Sequence, residues 1–259
     1  MSNLAILIIG VSFIFLMTTL GSAIVFFFKR PVKDKIKSLM LGFASGLMIA
    51  TSVWSLLLPA IEQSAHYGKW SFLPATIGTI VGCLFLVVLD KVIPFLLKKH
   101  DKEDDAIAKS QKLFFAVTLH NIPEGLAVGL AFGSAVVSAQ TSIYLSALWL
   151  AIGIGLQNFP EGSAISLTVK EVSGSTKRGF WYGFLSGVIE PIMAVLGIFL
   201  ATAISSIMPW ILAFAAGAML FVVVEELMPE VKVADKGKIG SWGFIAGFVI
   251  MMILDVAFG

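Results

Sequence analysis

Two short stretches of this 259-residue chain set cation-gripping side chains within apolar sequence. One holds His120, Asn121 and Glu124, and the other Gln157, Asn158 and Glu161. Each reads Asn-x-Pro-Glu-Gly, as Asn121–Gly125 and Asn158–Gly162. Residues three and four apart share a helix face, so each stretch converges on its glutamate. Pro123 and Pro160 donate no backbone hydrogen bond, which frees the carbonyls of Leu119 and Leu156 and predicts a bend in each helix. One imidazole among several oxygens suits a divalent transition metal such as zinc, iron or manganese. Two glutamates could bridge a pair of ions, and spacing leaves the number open. A buried His–Glu pair also serves as a plain hydrogen bond, and Gln157 alone as a tie between helices. Duplication of the stretch, with a third carboxylate at Glu190, favours the metal.

The elements that position these residues are membrane spans. Hydrophobic residues make up 58% of the chain and charged residues 13%, against about 25% charged in soluble domains. Apolar runs predict eight helices, over 4–28, 39–61, 71–97, 113–136, 142–169, 179–207, 210–228 and 239–258, each near the length that crosses a bilayer. The fold class is therefore all-α, a polytopic membrane protein with one transmembrane domain over 1–259. Met1-Ser2-Asn3 carries no positive charge and the first run is longer than the core of a cleaved leader, so it reads as a retained helix. The single cysteine, Cys83, allows no intrachain disulfide.

All but two of the 18 Lys and Arg residues fall in alternate loops, 1–2, 3–4, 5–6 and 7–8; the exceptions are Lys69 and Lys91. Basic residues gather on the cytoplasmic side, so both termini are expected outside. At 1.5 Å per residue, Glu124 lies roughly 18 Å from Lys112, Glu190 roughly 18 Å from Arg178, and Glu161 about 14 Å from Lys170. Three carboxylates on three helices then meet near the middle of a hydrocarbon core about 30 Å thick. Such groups are costly there and mark function. They repel one another unless protonated or bridged by cations.

The chain also repeats itself. Phe43-Ala44-Ser45-Gly46-Leu47-Met48 matches Phe214-Ala215-Ala216-Gly217-Ala218-Met219, with Pro59 and Pro229 following. The second and seventh spans cross in opposite directions, so spans 1–3 and 6–8 read as an inverted repeat around the fourth and fifth. Transporters recurrently use that design, with the substrate site at the repeat interface.

On His120-Asn121-Ile122-Pro123-Glu124-Gly125, Gln157-Asn158-Phe159-Pro160-Glu161-Gly162 and Glu190-Pro191, the sequence resembles the ZIP (Zrt/Irt-like protein) family of divalent metal transporters, in its bacterial GufA-like branch. The resemblance spans all eight predicted helices. It implies a binuclear site with one ion held by His120, Glu124, Gln157 and Glu161, and with Met48 adding a thioether. Core packing is the other reading of Met48. The second ion would use Asn121, Asn158 and Glu190, with Glu124 and Glu161 bridging. Zinc, or alternatively iron, manganese or cadmium, is then cargo moving toward the cytoplasm, and elevator-like sliding of one helix group against another has been proposed for the family. The resemblance further implies a homodimer in a bacterial inner (plasma) membrane. Many relatives carry His or Asp where Gln157 and Asn158 stand, so these amides lower the negative charge of the site.

Glu62, His66 and Asp255 lie toward the outer ends of their spans, and Glu225, Glu226 and Glu230 toward the inner end of the seventh. They read either as stations on an ion path or as interfacial anchors. His100 with Asp101, Glu103, Asp104 and Asp105 reads as a solvated acidic stretch or a weak metal collector. Two other functions compete: an intramembrane metal-dependent hydrolase and a passive divalent-cation channel. The hydrolase lacks a His-Glu-x-x-His motif. A formal net charge of +2 gives no nucleic-acid signal, and no Gly-x-x-x-x-Gly-Lys loop offers ATP binding. The partners expected are divalent metal ions and the lipid bilayer.

Overall fold

Backbone in lipid has no water to bond, so long apolar runs satisfy themselves as helices. The computed structural model describes residues 2–28, 33–97, 105–203, 205–234 and 238–258. His100, Asp101, Glu103 and Asp104 lie outside the described residues. The helices are α1 (Asn3–Ala23), α2 (Asp34–Thr51), α3 (Leu58–Gln63), α4 (Phe72–Leu97), α5 (Asp105–Ser138), α6 (Thr141–Ser173), α7 (Thr176–Ala203), α8 (Met208–Val222), α9 (Met228–Ala234) and α10 (Ile239–Phe258). A π turn, Ser52–Leu57, joins α2 to α3 in one rod, and a second, Val223–Leu227, joins α8 to α9. Among the described residues there is no strand, and seven segments are long and apolar enough to cross a membrane. The protein is an all-α, multi-pass membrane protein.

Several boundaries differ from the hydropathy reading. α5 starts at Asp105 rather than 113, because a helix continues while its hydrogen bonds do, through charged residues beyond the apolar run. α1 gives way at Ala23 to a 3-10 turn, Ile24–Phe26, and α7 stops at Ala203. The bends expected at Pro123 and Pro160 leave no break: α5 and α6 remain α-helical through both. Just past each proline the helix is clamped by a neighbour. A Cβ on Gly125 would strike the Glu190 carbonyl, and a Cβ on Gly162 the Thr18 carbonyl. Contacts that close leave no room for a widened turn. The widened turns lie elsewhere, where Leu58 N–H reaches back five residues to the Val53 carbonyl and Met228 N–H to Val223. Pro59 and Pro229 follow directly, and their missing N–H groups strip one α-helical bond from each turn.

The most extensive helix pairings are α2 with α10, α4 with α8, α5 with α7, and α1 with α6. Exchanging α1 with α7, α2 with α8, α4 with α10 and α5 with α6 turns the first pairing into the second and the third into the fourth. The contacts thus follow the inverted correspondence that the duplicated motifs suggest. Two helix groups result, α1/α5/α6/α7 and α2–α3/α4/α8–α9/α10, meeting along α6 and α5. In α1 the buried residues Ile6, Gly10, Ile14, Thr18 and Ser22 recur every fourth position, one stripe turned inward. Leu4, Phe27, Val195, Trp242 and Val256 face outward, as suits a surface solvated by lipid.

Candidate metal centre

Helices α5, α6 and α7 carry the candidate ligands, and close approach at Gly125 and Gly162 sets them side by side. All eight sequence-predicted residues are buried: Met48, Glu124, Gln157 and Glu190 completely, His120, Asn121, Asn158 and Glu161 nearly so. Glu124, Glu161 and Glu190 stand close enough for their charges to act on one another. Met48 is enclosed in the hydrophobic core, and its carbonyl accepts from Ser52 at 2.8 Å.

Five of the candidates, His120, Asn121, Glu124, Gln157 and Glu190, are hydrogen-bonded to other protein groups. Gln157 Nε2 donates to Glu124 Oε1 at 2.7 Å, and Thr18 Oγ1 to Glu190 Oε1 at 2.5 Å. Asn121 Nδ2 donates to the Ser186 carbonyl at 2.8 Å. His120 Nε2 meets Glu226 Oε1 at 2.8 Å, across 106 residues of sequence. Asn158 lies against the Glu190 carboxylate without closing a well-formed hydrogen bond.

Other buried atoms remain unmatched. Glu124 Oε2, Glu161 Oε1, Glu190 Oε2, Gln157 Oε1 and Asn158 Oδ1 have no hydrogen-bond partner among the described residues. A buried polar atom left so costs about 1–3 kcal/mol, more when charged. Five such oxygens in one cluster form an electronegative cradle. Among the described residues no three His, Cys, Asp or Glu side chains are drawn together tightly enough to hold an ion. Glu124 is instead paired with Gln157, and His120 with Glu226.

A cavity of about 60 Å³ leads from the cluster toward the basic loops, lined by His120, Glu161, Thr168, Glu226 and Glu230 among others. At its mouth Lys37 Nζ lies 3.7 Å from Glu230. A larger cavity, about 250 Å³, opens in the opposite half beside Ser55, Ser134, Ser146 and Asp255, and no candidate ligand lines it. There Ser55 Oγ donates to Asp255 Oδ1 at 2.5 Å. Glu62 and His66 are exposed; His66 stacks on Tyr67, and its Nδ1 lies 3.1 Å from the Gln63 carbonyl.

Sequence reasoning missed Thr18 as the partner of Glu190 and Glu226 as the partner of His120. A threonine in an apolar run carries no distinguishing mark. The repeat would have supplied one, because Thr18 meets Gly162 as Glu190 meets Gly125.

The sequence model of the family described as ZIP Zinc transporter matches residues 99–255. A human protein named Zinc transporter ZIP11 is 35% identical, covering 97% of this chain and 97% of its own length. Zinc transporter GufA of Myxococcus xanthus is 35% identical over 84% of this chain and 85% of its own. Zinc transporter ZupT of Streptococcus mutans is 32% identical, with 92% covered on both sides. With over half of the chain matched by the family model and relatives matched nearly end to end, the chain belongs to the ZIP zinc transporter family.

Proposed function

We propose that this protein carries divalent transition-metal ions, zinc first and iron, manganese or cadmium as alternatives, into the cytoplasm by alternating access. It is a transporter rather than an enzyme, and zinc is its cargo rather than a cofactor. The observation that carries the reading is the cradle of unpartnered buried oxygens on Glu124, Glu161, Glu190, Gln157 and Asn158. Bound cations give these oxygens a partner, whereas a hydrogen-bonded core would have paired them internally.

In this reading His120, Glu124, Gln157 and Glu161 hold one ion and Asn121, Asn158 and Glu190 a second, with Glu124 and Glu161 bridging. Met48 contributes from the neighbouring helix group. Gln157 already spends its N–H on Glu124, so its free oxygen faces the ion. The basic loops mark the cytoplasmic side by their positive charge, which puts both termini outside and the cavity at Glu226 on the release path. Alternating access is supported by two helix groups joined along α5 and α6, each built from both inverted repeats. Exchange of His120 between Glu226 and the ion gives that path its first step.

Reconstituted vesicles loaded with a zinc-sensing dye test the proposal. Saturable uptake is expected from the wild-type protein, with a loss of at least tenfold in Glu124→Ala and in Glu161→Ala, since each removes a ligand whose loss costs more than 1.4 kcal/mol. Uptake surviving both substitutions would exclude this site.

A further inference from the structure

We infer that Thr18, on α1, is a positioning residue that presents Glu190 to the ion through a single oxygen. The inference rests on the transport reading above and deepens it. Thr18 is buried, and its hydroxyl lies 2.5 Å from Glu190 Oε1 and 3.2 Å from the Ile14 carbonyl. A hydroxyl has one proton to donate. The shorter contact takes it, at the separation found for hydroxyl–carboxylate bonds with a charged acceptor. Glu190 Oε1 is thereby occupied, and Oε2 is left facing the cluster without a partner. The bond fixes the carboxylate so that Oε2, the oxygen without a partner, is the one it presents to an ion. A carboxylate rotating freely would offer both oxygens and a softer choice of geometry.

The backbone fixes Thr18 in place for this task. Ser22 Oγ donates to the Thr18 carbonyl at 2.8 Å and lies 3.3 Å from the Gly162 carbonyl. Ser163 Oγ donates to the Phe159 carbonyl at 2.7 Å and lies 3.1 Å from the Gly21 carbonyl, so α1 and α6 approach closely on both sides of Gly162. The Thr18 carbonyl sits where a Gly162 side chain would be, as the Glu190 carbonyl does at Gly125. Thr18 is therefore the inverted-repeat counterpart of Glu190. One half of the molecule supplies the ligand and the other half, at the matching place, the hydroxyl that aims it. The two hold α1 and α7 in one orientation at the depth of the ion.

Zinc uptake by reconstituted Thr18→Val, Thr18→Ser and Glu190→Gln proteins tests this. Thr18→Val keeps the shape and removes the donor. It is expected to raise KM for zinc about tenfold, the worth of a hydrogen bond to a charged group, with maximal rate within about twofold. Thr18→Ser should recover most of that loss. Adding Thr18→Val to Glu190→Gln should change KM no further, because the hydroxyl acts only through the carboxylate. If Thr18→Val does not fold, Thr18→Ala replaces it with the same expectations. A wild-type KM in the substituted protein, or an undiminished effect in the Glu190→Gln background, overturns the inference. Wild-type vesicles that take up no zinc would instead overturn the transport reading itself.

Discussion

The π turns Ser52–Leu57 and Val223–Leu227 share a backbone and differ in chemistry. Aligned on their five-residue hydrogen bonds, Ser55, Leu56 and Ala60 of the first stand where Glu225, Glu226 and Glu230 stand in the second. Leu56 and Ala60 are fully buried, whereas Glu225 and Glu230 are exposed and Glu226 is one-third exposed and bonded to His120. At these positions the first turn therefore sets hydrocarbon, and the 250 Å³ cavity beside it is lined by no candidate ligand. The second opens the cluster to the basic side through carboxylates. A symmetric backbone thus carries asymmetric chemistry, and the asymmetry lies in three side chains.

Moving one of those side chains across is the severest way to break the comparison. Leu56→Glu puts an unpaired carboxylate into a fully buried place, at a cost of about 3 kcal/mol in the lipid interior. Most of the protein should be lost from the monodisperse peak when detergent extracts are run by size exclusion. A folded, active Leu56→Glu protein would mean that the two turns are interchangeable and that burial at Leu56 seals nothing.

The reverse exchange is gentler. Glu226→Leu leaves His120 without its carboxylate partner but keeps a side chain that the half-open turn can hold. Zinc uptake should fall about tenfold, since a hydrogen bond to a charged group is worth at least that much. Ser55→Ala, on the opposite turn, should reduce uptake only about threefold, because Asp255 still borders the 250 Å³ cavity there. Initial rates in vesicles measure both. If Ser55→Ala proves the more damaging, control of flux belongs to the first turn.

The helices and the buried cluster are legible in the sequence, and the asymmetry between the two turns is not. The apolar runs gave the helices because lipid permits nothing else for them, and the paired Asn-x-Pro-Glu-Gly motifs gave the buried cluster. Pro59 and Pro229 stood out as matched residues, yet a proline does not announce whether it kinks, widens or merely tops a helix. Pro123 and Pro160 leave their helices unbroken, and at the next glycine each helix is closely approached by α7 or α1. The contact of His120 with Glu226 joins α5 to the turn after α8. Only the folding of one helix group onto the other brings those two together. Hydropathy also hid the start of α5, whose first turns are charged.

The smallest effect expected belongs to the rim of the open half. Lys37 and Glu230 lie 3.7 Å apart with 37% and 54% of their side chains exposed. Exposed ion pairs contribute about 0–1 kcal/mol and weaken as salt rises. Lys37→Ala should therefore change zinc uptake by less than about twofold, with the difference vanishing in concentrated salt. In the opposite half the matching position is Ala60, buried and without charge, so no equivalent rim exists to compensate. A tenfold loss in Lys37→Ala that persists at high salt would assign the pair a different part. Lys37 would then act as a latch across the cavity mouth, and the difference between the halves would extend from the π turn to the surface.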